Sequence, residues 1–220
     1  MKNFSNLLKL LTWNNQSYPI GSYSFSSGLE YAVEINIVNS AEELKTWLKD
    51  LLILGNLQSD AILLVEAWKL LHNKKDSQII ELNNFALSLN QSSERYIESL
   101  EQGKSFIKIS TASWGHKFAC NNLTFPLAYA SSAVQENISL EDTLLSFLHS
   151  SICNLLAAGI KLIPLGQTQG QLIQVQLNDV IQKEYKNILK KNLNFIGNCG
   201  WVNDIVSMKH EHQFTRIFRT

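Results

Sequence analysis

The 220 residues are 45% apolar and carry 19 basic and 19 acidic side chains, a net charge of zero. That is enough apolar material for one sizeable core and a single domain, and the balanced charge excludes a general nucleic-acid binder, which needs surplus cations to displace counterions. Cys120, Cys153 and Cys199 form no CxxC pair and leave an odd thiol, so each reads as a small buried hydrophobe of a reducing compartment.

The amino-terminal stretch MKNFSNLLKLLTWNNQ has leucines but no long apolar run ending in a cleavage site, so no secretory signal is read and the cytoplasm is the expected location. Pro19 and Gly21 then break this leucine helix. Residues 18–30 read as a tight corner, with Ser22 as an N-cap and Tyr23 and Phe25 anchored in the core. Glu30, at the end of the corner, is expected to be exposed and open to a partner, because carboxylates are rarely buried.

Ser40-Ala-Glu-Glu43 has the capping-box pattern, and Leu44, Trp47, Leu48 and Leu51 continue it as an amphipathic helix that Gly55 stops. Leu57, Ala61, Leu64, Trp68 and Leu71 make the next stripe; Ile79, Leu82, Ala86 and Leu89 predict a third, and Ser93 opens a fourth. Further helices start at Pro126 and at Ser139. Residues 143–160 carry no charge, yet Thr143, Ser146, His149, Ser150, Ser151 and Asn154 interrupt them. This helix, Ser139 to Ile163, is therefore expected to be the most buried of a bundle and not a membrane span. Residues 167–192 are helical again, with Asn178-Asp179 as a candidate break. No strand alternation or repeat interrupts the pattern, so the class is all-α, with about ten helices. The division expected is a helical domain over 1–206 and a partner-binding tail over 207–220.

Catalytic motifs do not emerge. The glycines include no P-loop, since Gly166-Gln-Thr-Gln-Gly170-Gln lacks its lysine, and neither HExxH nor GxSxG occurs. His72, His116 and His149 are scattered singly and read as structural. A metal site on His210 and His212, with Cys199, stays open as an alternative; so does a stand-alone helical adaptor. Charge is unevenly spread, −5 over residues 21–68 and +4 over 181–220, which suits self-association or a charged partner. In the last segment Arg216 and Arg219 alternate with Phe214, Ile217 and Phe218, the residue types that dominate interfaces, so it is expected to be disordered until a partner orders it.

Four segments, SYPIGSYSFSSGLEYAVE (17–34), IESLEQGKSFIKIS (97–110), IKLIPLGQTQGQ (160–171) and DIVSMKHEHQFTRIFRT (204–220), together resemble urease accessory proteins of the UreF type. His212, where that family more usually has threonine, and the polar stretch AYASSAVQEN (128–137) depart from it. The resemblance implies an all-helical, non-catalytic, homodimeric scaffold without a cofactor of its own, the nickel being handled by partner proteins. It would act with UreD (also called UreH) and the GTPase UreG to present a complex to apo-urease. The candidate partner-binding residues are Glu30, Gln167, Gln171, Met208, His210, Phe214, Arg216, Phe218 and Arg219.

Overall fold

The computed structural model describes residues 4–197 and 199–220. Among them the chain forms ten α-helices and three single 3-10 turns. These are α1 (Phe4–Trp13), α2 (Leu29–Glu34), α3 (Ala41–Ile53), α4 (Asn56–His72), α5 (Ile79–Ser88), α6 (Ser93–Trp114), α7 (Phe125–Gln135), α8 (Leu140–Leu162), α9 (Gln167–Ile188) and α10 (Trp201–His210). No strand occurs among the described residues.

The starts follow local chemistry. Ser40 Oγ accepts from the Glu43 amide, and Ser139 Oγ from that of Asp142, each satisfying an amide that the first turn leaves unpaired. On α6 the cap is Ser92, one residue before the expected one, with its Oγ accepting from the Arg95 amide at 3.1 Å. The predicted interruption of α9 is absent: the helix runs on through Asn178, whose Oδ1 accepts from Gln174 Nε2 at 3.0 Å instead of turning on the backbone.

At the centre lies α7, packed on both α4 and α6. Eight of its eleven residues are buried, most of them small (Ala128, Ala130, Ser131, Ser132, Ala133). Small side chains bring the neighbouring helices close, and the serine hydroxyls are satisfied: Ser131 donates to the Leu127 carbonyl, and Ser132 pairs with His116 Nδ1. Glu136 takes the other nitrogen of His116 at 2.8 Å, so this histidine is the satisfied structural residue expected of it. Around α7, Trp13, Phe106 and Tyr129 meet edge-on or tilted, 5.6–6.0 Å between ring centres. Where α6 crosses the approach to α7, a Cβ on Gly103 would overlap the Leu123 carbonyl oxygen.

Three further expectations fail. Only eight of the 23 residues of α8 are buried, and Ser146, Ser150, Cys153 and Asn154 form a half-open face around exposed His149. Lack of charge does not by itself mean depth, because polar residues at three- and four-residue spacing mark a face toward water. Cys120 and Cys153 are only half-buried and Cys199 is exposed, all three as free thiols. Tyr23 is 67% exposed, while Phe25 does enter the core. By length and composition residues 41–72 and α8 could each cross a membrane; 67% and 44% of their apolar windows lie inside the fold.

Gly103→Ala is expected to lower stability by about 2–3 kcal/mol through overpacking, whereas Gly197→Ala, with nothing within 4 Å of the new carbon, should stay within about 0.5 kcal/mol. Urea unfolding checks both, and equal midpoints for the two variants would contradict the close crossing of α6.

Candidate functional site

The corner between α1 and α2 is built on left-handed backbone. Gly21 and Gly28 have φ of +76° and +80°, and Ser27 also lies at positive φ. Gly28 is required twice, because a Cβ there would also come within 2.9 Å of the Ser207 amide on α10. That contact lays α10 directly over α2. Two further bonds hold it there: Ser92 Oγ to Ser207 Oγ at 2.7 Å, and Asn203 Nδ2 to the Ser27 carbonyl at 3.0 Å.

Under this seam lies a buried ionic cluster. His210 is fully buried. Its Nδ1 faces the Glu94 carboxylate at 2.8 Å and its Nε2 faces Glu30 at 3.0 Å. Both ring nitrogens thus have an acceptor, the arrangement that suits a doubly protonated imidazolium. Burial by itself depresses the imidazole, but the hydrogen bonds and charges of Glu94 and Glu30 outweigh it and hold His210 above its ordinary value. Arg216 adds a second cation to Glu94 at 3.2 Å.

Glu30 is therefore not the exposed end of the corner: it is 5% exposed, and besides His210 it accepts the backbone amides of Ile217 and Phe218 at 2.6 and 2.9 Å. A carboxylate is tolerated there because three donors, the His210 imidazole and the amides of Ile217 and Phe218, replace its water. The last residues continue the seam. The Arg219 amide donates to the Ser24 carbonyl at 2.7 Å, and the Ser26 amide and hydroxyl both donate to the Thr220 carbonyl. Phe218 is buried, with Lys161 Nζ 5.8 Å from its ring centre.

The expected disordered tail is thus corrected: it is docked on its own domain by charge, backbone pairing and one buried aromatic. Residues 207–210 belong to α10, so position 206 lies inside a helix. The structure brings Glu30, His210, Arg216 and Phe218 together. Gln167 and Gln171 sit apart from this network, exposed on the first turns of α9, and the Arg219 side chain points to solvent. His212 and Cys199 are exposed while both nitrogens of His210 are engaged, which leaves the three without a common ligand geometry. Sequence reasoning missed Glu94 and, beside it, Arg95, which bridges Asp60 at 2.6 Å and Glu98 at 3.1 Å, with Ser27 donating to Glu98. The three charges clustered in the first turns of α6 were the available signal.

The upper surface has the opposite character. Trp201, Val202, Ile205 and Met208 are 73%, 52%, 54% and 42% exposed and share one face of α10, and Phe214 and Ile217 project beyond it. The segment is two-sided, with a polar underside fixed to the domain and an apolar face free.

A raised His210 value makes the docking pH-dependent. Its contribution is full below the ordinary value near 6.5 and is lost as pH rises through the folded value. Amide exchange at Ile217 and Phe218, corrected for its intrinsic pH dependence, should show less protection at about pH 9 than at about pH 6; unchanged or greater protection would contradict the cluster. His210→Ala, which strands two buried carboxylates, should destabilise by about 3–5 kcal/mol in urea unfolding.

The UreF family model matches residues 38–178, and related proteins extend the likeness to both ends of the seam. The urease accessory protein UreF of Rhodopseudomonas palustris (strain HaA2) is 33% identical over 98% of this chain and 94% of its own length. That of strain TIE-1 is 34% identical over 97% and 92%, and that of Bradyrhizobium diazoefficiens 33% identical over 97% and 91%. With a family model over more than half of its length and full-length relatives above 30% identity, the chain belongs to the UreF family of urease accessory proteins.

Proposed function

We propose that this chain is a non-catalytic scaffold for urease maturation, acting in the cytoplasm as a homodimer that assists nickel incorporation. In this reading it joins UreD (UreH) and the GTPase UreG in a complex that meets apo-urease, and it carries no resident cofactor, since nickel is handled by the partners. The observation that carries the reading is the two-sided α10 segment. A helix whose underside is tied down by buried ion pairs presents Trp201, Ile205 and Met208 at fixed positions, so a partner gains apolar contact without first ordering the segment. Aromatic anchors on a rigid element are the usual centres of binding energy. Phe214 is fully exposed, and Arg219, exposed as well, offers a bidentate donor in the same terminal segment.

Glu30, His210 and Phe218 then support partner binding indirectly, by holding the platform, while Gln167 and Gln171 are candidates for a separate contact on α9. The charge asymmetry between residues 21–68 and 181–220 supports self-association about a two-fold axis.

Ile205→Asp combined with Phe214→Ala should leave the urea midpoint within about 0.5 kcal/mol, because both side chains are exposed, yet weaken co-purification of UreD, UreG and apo-urease at least tenfold. Undiminished recovery of the complex would remove the platform from the reading. Light scattering of the isolated chain should give twice the 24.9 kDa of one chain; a monomer across micromolar concentrations would refute the dimer.

A further inference from the structure

The half-open face of α8 holds a pair of side chains that neither the fold nor the platform uses. His149 and Cys153 are one helical turn apart, and the sulfur lies 3.7 Å from Nδ1 and 3.8 Å from Nε2. Residues four apart project from the same side of a helix. In a tetrahedral site with metal–sulfur and metal–nitrogen bonds of about 2.3 and 2.0–2.1 Å, the two donors stand about 3.6 Å apart. The observed separation therefore already matches, and because the sulfur is almost equidistant from both nitrogens, a turn of the exposed ring about its Cβ–Cγ bond is what brings one lone pair to a shared ion.

The surroundings suit a cation. His149 is exposed and Cys153 half-buried, so an ion has a route in. Ser146, Ser150 and Asn154 flank the pair on the same face; α8 carries no lysine or arginine before Lys161, and Arg95, which lines a cleft with Ser150 and Asn154, is neutralised by Asp60 and Glu98. Thiol and imidazole together favour zinc, nickel or cobalt over the hard cations magnesium and calcium.

We propose that His149 and Cys153 form a two-donor site for an exchangeable divalent cation of the zinc and nickel class, with water completing the coordination in the isolated chain. On binding, the Cys153 S–H bond breaks and its proton goes to solvent, a sulfur–metal bond replaces one water of the ion, and no electron is transferred. Two protein donors make a weak, reversible site, not a structural one. The site is independent of the scaffold reading, and its test does not involve the partner proteins.

Titration of the untagged, full-length chain with Co²⁺ should saturate at one equivalent with a near-ultraviolet sulfur-to-cobalt charge-transfer band that Zn²⁺ removes. Cys153→Ser should abolish the band, and His149→Ala should weaken binding about tenfold or more, at least the loss seen when a mere supporting group of a ligand is removed. Cys120→Ser and Cys199→Ser should leave the band intact. In the unaltered chain, Zn²⁺ should slow alkylation of Cys153 while Cys120 and Cys199 react at their former rates, a readout that does not depend on any variant folding. A band that survives Cys153→Ser, binding unaffected by His149→Ala, or alkylation of Cys153 indifferent to Zn²⁺ would each overturn the site.

Discussion

A carboxylate withdrawn from water must find its hydrogen bonds elsewhere, and in this protein that requirement at Glu30 governs how the two ends of the chain meet. Its oxygens are supplied by the His210 imidazole and by two backbone amides from residues 217 and 218. Each depends on the others. His210 can be buried as a cation only with Glu94 on its second nitrogen, and the backbone at 217–218 is in place only while Phe218 fills its pocket and the Ser24 and Ser26 pairings hold. Removing one member leaves the rest as buried, unpaired polar groups, which is more expensive than never having formed the cluster. The close approach at Gly28 gives the cluster its geometry, since any side chain there would lift α10 off α2.

Beside it, half-buried Asp60 and Arg95 and buried Glu98 form a second group, linked to the first through Ser27, which hydrogen-bonds Glu98 through its hydroxyl and Asn203 of α10 through its carbonyl. Burial raises Asp60, with Arg95 opposing the shift. The corner, the start of α6 and α10 thus share one polar interior, while α4, α7 and α8 share an apolar one. This division explains why a small helical protein carries so many charges below its surface: they fasten a late segment onto a core to which α10 itself contributes Val206.

Much of the fold was legible in the sequence because helices declare themselves locally. Ser40, Ser139 and Pro126 mark starts, and leucine spacing marks the buried stripes of α3 and α4. Depth was less legible. The charge-free run of α8 suggested the centre, but the centre is α7, whose alanines and serines look unremarkable until α4 and α6 are seen to need the space. The candidate site was legible by wording and misread by physics. Glu30, His210, Arg216 and Phe218 were singled out, yet their burial follows from partners more than a hundred residues away, which no local pattern can report. His149 and Cys153, only four apart, were each dismissed singly although their spacing already put them on one side of a helix.

The distance along the chain between the two halves of the seam has a consequence for synthesis. Glu30 and His210 are separated by 180 residues, so at ribosomal rates of about 5–20 residues per second the corner exists for roughly 10–35 s before its counterpart has been made. Throughout that interval Glu30 lacks the donors that the last residues supply, and α2, which can rest on α8 once that helix is made, has no α10 to cover it. The polar interior is consequently assembled after translation has passed α10, onto a nascent bundle whose apolar centre is already available, and the apolar platform on α10 acquires its fixed position only in the finished chain.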